Sequence, residues 1–318
     1  MNPNLLMHSK TILILAAAFS AAVFSTTALA KIERVTEKTF PVQSGAKLSV
    51  ETSGGNVRVE SADVQSVRIV ARQIFPKADT DAEAGQIAKS LALVMEQTGD
   101  AVRASAKYTK PSWFRAPVYV EFDVTVPRSC DATLTTSGGN VSVSDLAGAV
   151  KARTSGGDIT LGRIHGPVDA RTSGGNVKLA ACAQSAFLET SGGNIDAGPV
   201  ARELRITTSG GNIRINGAEG AVDARTSGGT INATFARVSN ECALSTSGGD
   251  MEVRLGKSSA LLLDAMTSGG RVWASDALQI DTLAGCNGGK NRLAGKVNGG
   301  GPLVKLRSSG GDIDVKAQ

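Results

Sequence analysis

The triplet Ser-Gly-Gly recurs along the chain with its serine at 53, 137, 155, 173, 191, 209, 227, 247, 268 and 309. From Ser137 to Ser227 every step is 18 residues, and the next two are 20 and 21. Asn287-Gly288-Gly289 then stands where another copy is due. A fixed period near 20 marks a solenoid, in which no unit buries its apolar face alone and each must stack on its neighbours.

The residues between the triplets say what stacks. Five before the serine stand Val150, Val168, Ala186, Leu204 and Val222, and three before stand Ala152, Ala170, Leu188, Ile206 and Ala224. Polar residues such as Lys151, Arg153, Asp169, Arg171, Asp223 and Arg225 alternate with them. Four and six after the serine come Val141/Val143, Ile159/Leu161, Val177/Leu179 and Ile213/Ile215. Period two means β-strand. A further apolar slot nine after the serine (Leu146, Ile164, Cys182, Val200, Ala218) marks a corner.

Each unit is therefore expected to be two short strands and a corner. The glycine pairs Gly138-Gly139, Gly156-Gly157, Gly174-Gly175, Gly192-Gly193 and Gly210-Gly211 form the bend, where positive φ or close backbone approach is needed. The Thr before the serine and the Asn or Asp after the glycines should stack into hydrogen-bonded ladders. The predicted fold is all-β: a single-stranded parallel β-solenoid of about ten rungs, roughly 50 Å long at the usual strand spacing. Right-handed coiling is the expected sense for parallel connections.

The ends differ from the middle. Lys10, the apolar run Ile12–Phe24 and Ala28-Leu29-Ala30 predict a secretory signal peptide over 1–30, cut after Ala30. Lys31 follows the cut where a lipoprotein would have Cys. Residues 31–133 read as an N-terminal cap holding a first rung near Ser53. Thr80-x-x-Glu83 is a capping box, and Ala84, Ile87, Ala88, Leu91, Val94 and Met95 predict one helix over about 80–97. Val118 to Val126 alternate as a strand. Residues 134–318 are the repeats, with Lys290–Pro302 expected to be irregular. No second apolar span follows, and no C-terminal barrel region or anchor is expected.

Signal peptide, helix-bearing insert and T-S-G-G-[ND]-[VI] units together resemble the bacterial DUF4097 family, labelled adhesins from their repetitive architecture. Thr136–Val141, Thr154–Ile159, Thr172–Val177, Thr190–Ile195, Thr208–Ile213 and Thr246–Met251 carry the resemblance. It implies a β-solenoid and brings no catalytic residues with it.

The sequence offers little chemistry. His165 is the one histidine after residue 30, so a multi-histidine metal site is excluded. Dense calcium loading is not expected, because the residue two after the second glycine is Val or Ile rather than Gly. Cys182, Cys242 and Cys286 fall in inward columns and read as core thiols; Cys130 lies before the first regular rung. Ser44-x-x-Lys47 lacks the partner motifs of its catalytic namesake. Asp169 and Asp223 share a column three rungs apart, roughly 14 Å, too far for a glycosidase pair. No clustered acidic pair beside an aromatic is apparent.

The net charge of +5 is mild and interleaved, which argues against nucleic acid. The function predicted is an exported, periplasmic or secreted, non-enzymatic adhesin or envelope scaffold without cofactor. Its expected partner is an anionic envelope polymer or a surface protein. Arg153, Arg171 and Arg225, with Trp113, Phe114 and Trp273, are the candidate contacts. The alternatives are a carbohydrate-active β-helix enzyme and a passive periplasmic structural protein.

Overall fold

A computed structural model describes residues 32–43, 45–109, 118–282 and 290–318. The predicted signal peptide, Trp113-Phe114, Ser44, Cys286 and Asn287-Gly288-Gly289 lie outside the described residues.

Two long sheets carry the fold, one of 13 strands and one of 14. Strands that follow a glycine pair form the first sheet, and strands that precede one form the second. Through the repeats each strand pairs in parallel with its equivalent one period on: Val150 with Val168, Ala152 with Ala170, Ile159 with Val177. This register keeps every apolar column facing in, since a slip of one residue would turn the whole column to solvent. Val150, Ala152, Ile159 and Leu161 are all buried. The corner slot forms a third column: Ile164 pairs with Cys182, and bridges join Leu146 to Ile164 and Cys182 to Val200. This is the predicted β-solenoid.

Polar ladders satisfy the bends. Thr154 donates its hydroxyl proton to the Gly139 carbonyl at 2.8 Å and accepts the Gly157 amide at 3.2 Å. Thr172, Thr190, Thr208 and Thr226 repeat the arrangement. The Asn/Asp column runs alongside: Asn140 Oδ1 accepts the Asp158 amide, Asp158 Oδ1 that of Asn176, and Asn176 Oδ1 that of Asn194. The side chain thus takes up a bend amide that the sheet leaves free.

Of the two reasons for the glycine pair, close approach is the one the structure uses. A Cβ on Gly157 would sit 2.1 Å from the Gly139 carbonyl oxygen, whereas one on Gly156 would meet nothing nearer than 3.7 Å. Among the described Ser-Gly-Gly glycines only Gly55 has a left-handed φ, at 112°.

Three expectations are corrected. The helix spans Asp81–Ala88, capped by Thr80 as predicted, and Leu91–Thr98 is a strand. Leu91 and Met95 are four residues apart, a spacing that suits either element, and Val94, expected on the helix's apolar face, is exposed. The helix closes when Ser90 donates from both its amide and its hydroxyl to the Ile87 carbonyl. Lys290–Pro302 is not irregular throughout, because Arg292–Val297 pairs antiparallel with Leu261–Thr267 and buries Leu293 and Val297.

The third correction concerns stacking order. The strands of the last triplet, Leu303–Ser308 and Ile313–Ala317, pair directly with those of the Ser247 rung. The Ser268 rung stacks on their other side. The last rung in sequence is therefore inserted before the preceding one. The N-terminal end mirrors this: the Ser53 rung stacks on the Ser137 rung, and Ala101–Tyr108 with Tyr119–Pro127 lie beyond it without any Ser-Gly-Gly. Antiparallel strands then cover both sheets at that end, Ser66–Phe75 and Ile32–Pro41 on one, Leu91–Thr98 on the other. Ile32–Pro41, an edge strand, carries Glu33, Arg34, Glu37 and Lys38, charges that discourage further strand addition.

Candidate binding surface

The outward residues of each strand form two flat faces of different charge. On the second sheet, register places Lys151, Asp169, Phe187, Arg205, Asp223, Ala243 and Lys305 in one column. The adjacent column runs Arg153, Arg171, Glu189, Thr207, Arg225, Ser245 and Arg307. Cations outnumber acids across this face.

The three predicted arginines all stand in that second column. Asp169 bridges two of them, accepting from Arg171 Nε at 2.7 Å and Arg153 Nη2 at 3.3 Å. Arg171 also faces Glu189 at 3.4 Å and lies over the Phe187 ring, 4.5 Å from its centroid. These contacts hold the guanidinium charged and fixed in direction; the Asp169 hydrogen bond raises the Arg171 pKa above its ordinary value. Arg225 pairs with Asp223 on its own strand at 2.8 Å. The arginines are therefore ordered side chains in an ion-pair ladder, and Arg225 lies apart from the Arg153–Arg171 pair. A shallow groove of about 400 Å³ crosses the same sheet, lined among others by Lys47, Asp131, Lys151 and Asp169.

The first sheet differs. Its column of Asn232, Glu252, Asp314 and Trp273 comes from successive strands. Beside it, Asp312 donates its amide to Asp250 Oδ1 at 2.8 Å. Trp273 is 62% exposed, the largest value among the exposed large apolar side chains. The expectation that no clustered acidic pair stands beside an aromatic is corrected. Insertion of the last rung brings Asp312 and Asp314 between Asp250/Glu252 and Trp273, and the cluster exists. Its residues share slots in the repeat: Asp250 and Asp312 stand three after their serines, and Glu252, Trp273 and Asp314 five after. The Lys316 ammonium lies 2.8 Å from both Glu252 and Asp314. Its hydrogen bond holds the Glu252 carboxyl below the usual range.

His165 is exposed at a corner turn, on the rim of a small groove it shares with Arg163, Cys182 and Glu219. Cys130, Cys182 and Cys242 are buried free thiols. Among the described residues no group of three or more His, Cys, Asp or Glu is placed to hold a metal ion, and no helix is long and apolar enough to cross a membrane.

The family model described as Toastrack DUF4097 matches residues 46–316. No curated protein matches the chain. Similar solved structures include a "putative lipid binding protein" from Parabacteroides distasonis ATCC 8503, 13% identical, covering 88% of this chain and 96% of that one, with a TM-score of 0.44. A "putative adhesin" from Bacteroides fragilis NCTC 9343 is 12% identical over 90% of this chain and 97% of the other, at a TM-score of 0.39. Likeness at these identities and scores transfers no activity.

Proposed function

We propose, from the premise that the chain belongs to the Toastrack DUF4097 family, that it is an exported, non-enzymatic binding protein of the cell envelope, an adhesin-type solenoid. The observation that carries this reading is the outward face of the second sheet. Its cations exceed its acids, they stand at multiples of the strand spacing of about 4.8 Å, and ion pairs fix the directions of Arg153, Arg171 and Arg225. A long anionic polymer presents charges at a repeat, and a rigid face carrying cations on several strands can meet many of them at once without ordering new loops. The N-terminal apolar run read as a signal peptide supports delivery to the envelope.

The acidic cluster on the first sheet does not favour an enzyme. A glycosidase acid must keep its proton near neutral pH, which takes a raised pKa. Lys316 drives Glu252 in the opposite direction.

Co-sedimentation with peptidoglycan, lipopolysaccharide and whole outer membrane over a salt series tests the reading. Binding to one fraction at low salt is expected, with release near 1 M, where the screening length shrinks to about 3 Å. Replacing Arg153, Arg171 and Arg225 together by Gln should weaken it. Sedimentation with none of the three would remove the reading.

A further inference from the structure

We propose that the groove on the first sheet between Asn232 and Trp273 binds a neutral oligosaccharide, with the Trp273 indole as its stacking platform. This rests on the envelope-binding reading and adds a second ligand class on the other sheet. The groove, about 340 Å³, is lined by Thr230, Asn232, Asp250, Glu252, Asp312 and Asp314, with Met251. Trp273 is the register partner of Asp314, so its ring continues the column one strand beyond the groove. From Asn232 to Trp273 is three strand steps, about 14 Å. That length suits a short chain of sugars rather than a single ring.

The chemistry fits a sugar better than the other candidates. An exposed tryptophan at the end of a groove suits a docked partner, since aromatic residues are enriched where partners bind. The groove beside it presents hydroxyl, amide and carboxylate groups, with the Lys316 ammonium between two of the acids. A ligand that offers an apolar face to the ring and hydroxyls to its flanks matches that mixture. The acids are not a free anionic cluster. Lys316 sits between Glu252 and Asp314, and Arg254 pairs with Glu252. A divalent cation would have to displace that ammonium. A cationic peptide would face Lys316, Arg254 and Arg271 on the same surface. Hydroxyl groups can accept from the ammonium and donate to the carboxylates, which leaves every ion pair in place.

Insertion of the last rung sets the order of the site. Stacked in chain order, the Ser268 rung would lie beside Asp250 and Glu252, with Asp312 and Asp314 beyond it. Trp273 would then sit inside the acidic run instead of at its end.

Calorimetric titration of the purified protein with cellohexaose, maltohexaose and chitohexaose tests the proposal. Saturable binding of at least one is expected, weakened about tenfold or more by Trp273→Ala, the loss typical of an interfacial aromatic. Trp273→Phe, which keeps a ring, should stay within about threefold, and Asp314→Asn should fall between, since a hydrogen bond to a charged group is worth more than one to a neutral amide. No saturable heat with any of the three sugars overturns the proposal, as does equal binding by Trp273→Ala. Calcium chloride or an oligo-lysine peptide binding where the sugars do not would overturn it in favour of that ligand. Co-sedimentation run in parallel separates the two readings. A wild-type protein that sediments with envelope but ignores the sugars sinks this site alone. One that sediments with nothing sinks the function it rests on.

Discussion

Asp250 accepts the backbone amide of Asp312 at 2.8 Å although 62 residues separate them. The bond is the same one that joins Asn176 to Asn194 eighteen residues on. The ladder therefore treats the last triplet as the next rung after Ser247 and skips the intervening one. Thr267 confirms the order from the other side, donating to the Gly311 carbonyl at 2.8 Å. The chain leaves the stack after Leu255 and returns at Leu303 to fill the gap it left.

The inserted rung should be the floor on which the Ser268 rung depends. It buries Val304, Leu306, Ile313 and Val315 completely. Burying four such side chains is worth on the order of 8 kcal/mol as an upper bound. A chain ending at 302 should lose hydrogen-exchange protection over Leu261–Thr267 and Arg292–Val297. Neighbour-only coupling confines the damage, so Asp131–Thr136 through Ile231–Phe235 should stay protected. Retained protection at Leu261–Thr267 would mean that the Ser268 rung can close directly onto the Ser247 rung.

The two glycines of a triplet should respond differently to the same change. A methyl on Gly157 would meet the Gly139 carbonyl oxygen at 2.1 Å, and that atom is backbone in the middle of a stack. Gly157→Ala must push two rungs apart, and a loss of about 3 kcal/mol is expected. Gly156 has ordinary contact distances around its missing Cβ. Gly156→Ala should cost about 0.5 kcal/mol or less. Urea midpoints of the two variants check this; equal losses would mean that the bend, not the close approach, selects glycine.

The repeat region was legible because its signals are local. Apolar alternation at Val150, Ala152, Ile159 and Leu161 names the strands and the buried side, and the threonine and asparagine columns follow from a constant period. Order of stacking is not a local property. Most triplets carry the same hydrogen-bonding groups, and the one local sign of order is Arg271, which donates its amide to Asp312 Oδ1 but has no acceptor to offer a further rung. The surface on the first sheet depends on that order, which decides whether Trp273 lies beside Glu252 or beside Asp314. Ala101–Tyr108 and Tyr119–Pro127 escaped as a rung for the opposite reason: they stack like the others without the triplet. The helix was overextended because Leu91 and Met95 satisfy both periods, and only packing against Ala101–Tyr108 decides between them.

Thr172 should matter through its hydroxyl rather than its shape. Its oxygen donates to the Gly157 carbonyl at 2.9 Å and accepts the Gly175 amide at 3.3 Å, both buried. Thr172→Val keeps the volume and orphans both groups, at a cost of about 1–3 kcal/mol. Thr172→Ser keeps the bonds and loses one methyl, roughly 0.8 kcal/mol. Ser308 already stands in this column and accepts the Gly311 amide at 3.0 Å. Thermal denaturation of the pair gives the ranking, and a serine variant weaker than the valine one would contradict the ladder's role.

The buried thiols should be chemically silent in the folded protein. Burial pushes the Cys130 thiol up to about 12. It also raises Cys182 and Cys242 above their ordinary value. The thiolate is the reacting species, so at pH 8 a group with a pKa near 12 is ionised only about one part in ten thousand. Each side chain is also closed to a bulky reagent, at 3% exposure or less. In a Cys286→Ser background, Ellman's reagent at pH 8 should give no fast phase with native protein and full reaction of the remaining thiols in denaturant. The slow native reaction should follow the opening rate of the rungs rather than reagent concentration once the thiol reaction outpaces reclosing. A fast phase from Cys182 would mean that the corner column opens independently of the two sheets.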